Sequence, residues 1–443
     1  MKISLSDHFT YGKLLRFTLP SVVMMIFTSI YGIVDGIFVS NFAGKVPFTA
    51  LNLIWPLIMM VGCFGFMVGS GGTALISKTL GEKKPQKANE IFTLLTWMCV
   101  IGGVVLTVIA LALLRPIAVW MGATGEVLEN CVLYGRIVLP ASTAFILQFA
   151  YQNFCVTAEK ASLSLWMTVG SGVCNIILDF LFVAVFGWGL TGAAVATAIA
   201  QYFGAIIAIV YFARPNKSLL RLGKCRYDGK AIGRTVINGS SELMSNIAMN
   251  LVGMLYNVQL LRYAGEDGVA AYGVIMYVNL IFLSIFIGYA IGTAPLIGYN
   301  YGAENHREQT NIFKRGMVIL TVSGILMMLS GIVLSRPLAK IFVGYDKTLT
   351  DITTRAFAIY SISFIFTGIN MYGSSMFTAL NNGLVSAAIS FVRTLVCQLA
   401  AVLLLPLVWK LDGIWWSVVV AEFAALLLTL FCFFKYRKRY HYA

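Results

Sequence analysis

Sliding the chain against itself by 221 residues aligns, without a gap, Ala43-Gly44 with Ala264-Gly265, Gly81 with Gly302, Ile91-Phe92 with Ile312-Phe313 and Arg115-Pro116 with Arg336-Pro337. The same offset pairs Tyr151 with Tyr372, Thr157-Ala158 with Thr378-Ala379, and Gly192 with Gly413. The chain is a tandem duplication. Two like halves in a hydrophobic chain predict two membrane-embedded lobes related by pseudosymmetry, with a substrate path between them. Duplication also supplies an internal control, because a chemical group present in one half and absent from its copy is poorly explained as scaffold.

Hydrophobic residues make up 59% of the chain and charged ones 11%, and the mean hydropathy is +0.84. This composition excludes a soluble domain. A spanning helix needs roughly 20 apolar residues, since ~30 Å of hydrocarbon is crossed at ~1.5 Å per residue. Read on that basis, the first half gives spans at 14–40, 48–77, 91–114, 131–158, 161–186 and 190–213. The second half gives spans at 231–262, 269–299, 312–335, 353–379, 383–408 and 412–435. The expected fold is an all-α membrane protein of twelve transmembrane helices in two six-helix lobes, residues 1–213 and 232–443, joined by a basic linker at 214–231. The first apolar stretch is too long for a secretory signal and lacks a small-residue cleavage pattern, so it reads as a permanent span.

The formal net charge of +14 invites a nucleic-acid reading, but the basic residues cluster in alternate loops. Of the 32 lysines and arginines, 22 fall on one side: in the two tails, at Lys78–Lys87, Lys160, Arg214–Arg234 and Arg307–Arg315. The positive-inside rule places that side, with both termini and the linker, in the cytoplasm of a cell inner (plasma) membrane protein. The charge records topology and contact with anionic lipid, and no nucleic-acid partner is expected. Six of the eight cysteines lie in the interior of spans, where they pack as small hydrophobes, and the three histidines lie in tails or loops. No metal-ligand spacing appears. No phosphate-binding loop appears either: Gly223-Lys224 is followed by Cys225 and preceded at the required place by Ser218. No cofactor is expected, and any pumping must draw on an ion gradient.

An ionisable group at membrane depth costs at least ~2.5–3.5 kcal/mol on insertion scales, so each one needs a reason. In the first half, Asp179 precedes Gly187 by eight residues and Thr197 follows Gly189 by eight, which sets them at matched depth, roughly 12 Å from that turn. Asp35 lies nine residues before Gly44, roughly 13 Å in. Asn175 shares the face of Asp179 one turn away. Two carboxylates, an amide and a hydroxyl suit a proton-binding pair or a small hard cation such as sodium. At the 221 offset these four become Tyr256, Val396, Ala400 and Val418. The second half has lost the whole set together. Singly, Asn175 or Thr197 would read as an interhelical hydrogen bond.

The second half carries Glu242, Arg393 and Glu422, each about ten residues into its span and roughly 15 Å from an end, so all three can meet near the midplane. Their counterparts are Ser21, Gly172 and Gln201. Two readings stand: a charge-compensated structural triad, or a substrate cavity in which a surplus acid attracts cations. Pro20, inside the first span, removes a backbone hydrogen bond and marks either a hinge or a static kink.

The stretch Gln152-Asn153-Phe154, Ala158-Glu159-Lys160-Ala161, Asn175 to Asp179 and Phe182, Gly189 to Gly192, Ala196-Thr197 and Gln201 resembles spans 4–6 of the multidrug and toxic compound extrusion (MATE) transporters, most closely their DinF/MepA-like bacterial branch. Agreement extends to Pro20, Asp35, Pro56 and the span count, so it covers nearly the whole chain. The resemblance implies a V-shaped pair of lobes opening alternately to each side, and export of small amphipathic, mainly cationic drugs by proton- or sodium-coupled antiport. It carries ion coupling to Asp35, Asn175, Asp179 and Thr197 and the bend to Pro20, in a protein expected to act as a monomer. Members of another branch place coupling acids on spans 7, 8 and 10, and span 10 here has none in its interior. A lipid-linked-oligosaccharide flippase of the same superfamily is the alternative, though Arg393 is the only basic residue deep in the membrane. An embedded enzyme is disfavoured, because no catalytic constellation lies at a loop.

Overall fold

A computed structural model describes residues 3–442. Among them there is no strand, and the chain runs through eleven helices: α1 (Tyr11–Ala43), α2 (Lys45–Gly81), α3 (Pro85–Trp120), α4 (Gly125–Thr157), α5 (Ala161–Val185), α6 (Gly189–Ala213), α7 (Gly229–Gly302), α8 (His306–Val343), α9 (Lys347–Ser361), α10 (Phe364–Ala379) and α11 (Gly383–Tyr440). Polar side chains set several starts. Asp228 accepts from the amides of Lys230 and Ala231, Asn305 from Glu308 and Asp346 from Leu349, each satisfying donors that a helix leaves open.

By length and apolarity these helices give nine crossings, or ten when α9 and α10, bent by 47°, are taken as one broken span. The sequence-based twelve is reached only by dividing two long helices. At 74 residues α7 would be on the order of 110 Å long, far beyond a bilayer, and its backbone breaks at Gly265 (φ 63°). The other break is at Lys410 (φ 49°) in α11. Both breaks are symmetry copies of first-half turns, Gly44 (φ 98°) and Gly189 (φ 55°), and a third pair, Lys83 (φ 59°) and Glu304 (φ 54°), keeps the same offset. The duplication read from side chains is thus written in the backbone too. At Lys410 a lysine holds a conformation that its copy assigns to glycine, which shows that the turn is imposed by the helices on either side of it.

Burial matches a bilayer. In the most apolar stretches of α3 and α8, themselves symmetry copies, only 28% and 22% of residues are buried within the protein, against 72% in α4. Ile101, Val104, Val105 and Val108 therefore stand exposed along α3, an arrangement that is stable only in a hydrocarbon solvent. Inside, one apolar core draws on residues between Val39 and Ala231. The other draws on residues between Val252 and Tyr442, and it also takes in Leu5, Phe9, Leu14, Phe17, Met24 and Met25 from the start of the chain and Val156 and Ala161 beside the α4–α5 loop. The first arm of α1 thus packs with the second lobe.

The lobes meet around a pseudo-two-fold axis. A Cβ on Gly81 would lie 2.1 Å from the carbonyl oxygen of Tyr299, and one on Gly302 would lie 2.0 Å from that of Lys78; Lys78 and Tyr299 are themselves copies. A Cβ on Gly71 would likewise lie 2.8 Å from the amide nitrogen of Gly239, and one on Gly292, the copy of Gly71, would meet Thr18, the copy of Gly239. Each contact is repeated by its mate, as in an isologous dimer interface. These approaches lie in the arms of α1, α2 and α7 nearest the face that carries both termini. Moving away from that face along α1, Gly288 packs against Ser21 and Val22, and further on the hydroxyls of Ser29 and Ser284 lie 2.5 Å apart. The lobes are clasped at the terminus-bearing face.

Candidate ion-coupling site

Asp35, Asn175, Asp179 and Thr197, from three helices, converge within the first lobe, away from the clasped face. Asp35 is 7% exposed and Asp179 wholly buried. Their carboxyl groups lie within hydrogen-bonding reach of each other, yet neither oxygen of Asp179 meets an N–H or O–H donor from the protein. A bond between two carboxyl groups requires a proton on one of them. The Nδ2 of Asn175 and the hydroxyl of Thr197 are also buried without a partner. Buried polar groups are nearly always satisfied, so a cluster of orphans on one site marks a place built for something absent from the fold itself. Oxygens from two carboxyls, a hydroxyl and the Asn175 amide form a donor set that fits a proton or a sodium ion as cargo.

The site contains a residue that sequence reasoning missed. Tyr134 of α4 is 0% exposed, and its hydroxyl approaches Thr197 and lies near Asp35, Asp179 and Tyr31 without closing an aligned hydrogen bond. Tyr134 lies nine residues beyond Gly125, roughly 13 Å into its helix. The depth count that grouped Asp35, Asp179 and Thr197 would have found it too. Local geometry at the site is also unusual. α1 passes into π-helix over Val39–Ala43 just after Asp35, and α5 does so over Phe180–Val185 immediately after Asp179; the two stretches touch. A third π-helical stretch, Val392–Cys397, contains Arg393. Such widened turns recur at functional sites, and nothing in residue type announces them. The helix runs on unbroken through Pro20.

In the second lobe the charged residues divide. Arg393 donates Nε to both carboxylate oxygens of Glu422 at 2.9 and 3.0 Å, and its Nη2 lies 2.8 Å from Oε1. Asn370 adds a 2.8 Å bond to Glu422 and accepts in turn from Thr429 at 2.9 Å. Glu422 is saturated. Glu242 is not part of this network: it feels the charge of Arg393 but makes no ion pair with it among the described residues. It is half-buried, and it neighbours Cys63 of the first lobe. The expected three-way meeting is therefore a pair plus a separate acid at the lobe junction. Where Asp35 stands in the first lobe, Tyr256 instead bonds Ser417 at 2.5 Å. The copy of the candidate site is plugged by phenol and hydroxyl.

A membrane-embedded, two-lobed helical protein with a buried acid pair in one lobe is the construction of a secondary transporter. The MatE family model matches residues 20–181 and again 243–403; the chain belongs to that family. Among curated proteins it is 25% identical over 432 residues to the multidrug export protein MepA of Staphylococcus haemolyticus, covering 97% of this chain and 94% of that one. It is also 25% identical over 444 residues to MepA of Staphylococcus saprophyticus, with the same coverage. In fold it is similar to the outward-facing structure of a multidrug resistance MATE family transporter of the MOP superfamily, with a TM-score of 0.91 at 20% identity over 98% of this chain and 96% of that one.

Proposed function

We propose that the protein is a secondary active exporter of amphipathic, mainly cationic compounds, driven by a proton or sodium ion entering at Asp35 and Asp179. The observation that carries this reading is the buried acid pair, three of whose four carboxyl oxygens meet no protein donor, present in one lobe and absent from its copy. A ligand shifts a two-state protein only if it binds the states unequally. Asn175, Thr197 and Tyr134 surround the pair, so loading it changes the charge at the core of the first lobe. Bending of α1 near Pro20 then shrinks that lobe's cavity and expels the drug. Because two touching carboxyls share a proton naturally, the proton is the favoured ion.

Drug charge is read at the lobe junction. Arg393 is neutralised by Glu422, which leaves Glu242 as an acid whose charge no partner cancels, in surroundings that magnify it. Cations with aromatic bodies are expected to be exported in preference to isosteric anions, and Glu242→Gln is expected to narrow that preference at least severalfold. Efficient export of anionic dyes by the unmutated protein, with cations ignored, would overturn this reading in favour of lipid-precursor flipping. That alternative calls for free deep cations to hold pyrophosphate, and the engagement of Arg393 by Glu422 weighs against it.

The terminus-bearing face is assigned to the cytoplasm of the plasma membrane on loop charge. Cys225, in the basic linker, is exposed and gives a native probe. A membrane-impermeant thiol reagent is expected to label it in inverted vesicles and to spare it in intact cells; the reverse pattern would invert the topology.

A further inference from the structure

The segment ahead of α1 is tied to both lobes at the clasped face. On one side, Glu159, in the loop between α4 and α5, accepts from the Ser4 hydroxyl at 2.7 Å and the Leu5 amide at 2.8 Å. On the other, Glu308 in the first turn of α8 accepts from Nδ1 of His8 at 2.7 Å and the Phe9 amide at 2.9 Å. Asn311 donates to the Phe9 carbonyl at 2.9 Å and to Glu308 at 2.7 Å. Arg315 donates to Asn311 and stacks 4.7 Å above the ring of Tyr11. Leu5 and Phe9, 1% and 0% exposed, are sunk in the second lobe's core.

Glu308 is only 6% exposed, and its carboxylate is not needed to start its own helix, which Asn305 already caps. Both of its oxygens are spent on the chain ahead of α1. The symmetry copy of Glu308 is Lys87, exposed on α3, so the arrangement belongs to the second lobe alone. Near Lys87 the linker makes the matching crossing, with the Arg221 amide on Asn89 at 2.7 Å and the Gly223 amide on Thr93 at 3.1 Å. Lobes that separate at this face must part the segment from one of its two anchors. Glu308, with two charge-assisted hydrogen bonds to this segment and a third from Asn311 of its own helix, is the polar anchor on the second-lobe side.

We propose that residues 4–9 are a clasp and that Glu308 is its catch, so that this carboxylate sets the balance between the closed and open states of the terminus-bearing face. The clasp rests on the two-state reading above. Its test reads lobe separation instead of transport, so its outcome is independent of whether drug export is seen. Spin labels placed at Lys87→Cys and Lys314→Cys, with Cys174, Cys225 and Cys397 changed to Ser, report the distance across this face in the full chain by double electron–electron resonance. Glu308→Ala is expected to raise the ratio of long to short distances about tenfold, the effect of ~1.4 kcal/mol. Glu308→Gln should fall between it and the parent, since the amide still accepts from Phe9. His8→Ala, at a side chain 65% exposed and so without cost to folding, should shift the ratio in the same direction by a smaller factor. An unchanged distribution in folded His8→Ala and Glu308→Ala proteins would overturn the clasp. So would a lowered melting temperature with unchanged distances, which would make Glu308 a packing tie only.

Discussion

Asp179→Asn is expected to abolish gradient-driven export while leaving a folded, membrane-inserted protein, and Asp35→Asn to do the same. Asparagine keeps the size and much of the hydrogen bonding of the side chain but cannot load and release a proton or balance a cation. What is lost is the coupling energy, about 2.3 kcal/mol for each charge moved through 100 mV, which corresponds to roughly a fiftyfold concentration ratio. Drug distribution across the membrane should therefore collapse to the passive value in either mutant. Because neither oxygen of Asp179 and not Oδ1 of Asp35 meets a protein donor, neutralising one acid leaves no charge stranded, and thermal stability should stay level or rise. Tyr134→Phe offers a graded companion: it removes one oxygen from the same site and should weaken coupling without ending it. Unchanged drug resistance in cells carrying both aspartate mutants would end this account of the first lobe.

The second lobe predicts the opposite pattern. Arg393→Ala strands Glu422, which is 2% exposed and bonded by that guanidinium through three short contacts. Breaking a buried pair by removing one partner costs about 3–5 kcal/mol, so the melting temperature should fall steeply and expression with it. Adding Glu422→Gln should recover much of the loss, because the stranded charge disappears while Asn370 keeps an acceptor. Glu242→Gln, by contrast, touches no ion pair and should leave stability near that of the parent. If Arg393→Ala were fully stable, the pair would have no structural role and would belong with the substrate cavity.

Much of this was legible in the sequence because duplication and hydropathy report different things and agree. The 221-residue offset located turns, and Gly44 with Gly265, or Gly189 with Lys410, turn out to share the backbone conformation that makes those turns. Counting residues inward from the turns brought Asp35, Asp179 and Thr197 to a common depth, and helical spacing set Asn175 on the face of Asp179 one turn away. That count gives height along a helix and not direction around it. Glu242 could thus be set level with Arg393 and Glu422 and still lie outside their network. Tyr134 escaped because a tyrosine in a span carries no formal charge to draw attention. The burial of Leu5 and Phe9 beyond the apolar span was invisible for a further reason: the partners of that segment, Glu159 and Glu308, are some 150 and 300 positions away.

The central claim is that an ion taken up between Asp35 and Asp179 drives export. Purified protein in proteoliposomes, loaded with a fluorescent aromatic cation and exposed in turn to a pure pH gradient and a pure sodium gradient, tests it most directly. Export is expected under at least one gradient, with the proton the favoured driver, and should be missing under both gradients in Asp35→Asn and Asp179→Asn. Equal export by the parent and the two mutants, or movement of the cation that ignores both gradients, would contradict the account.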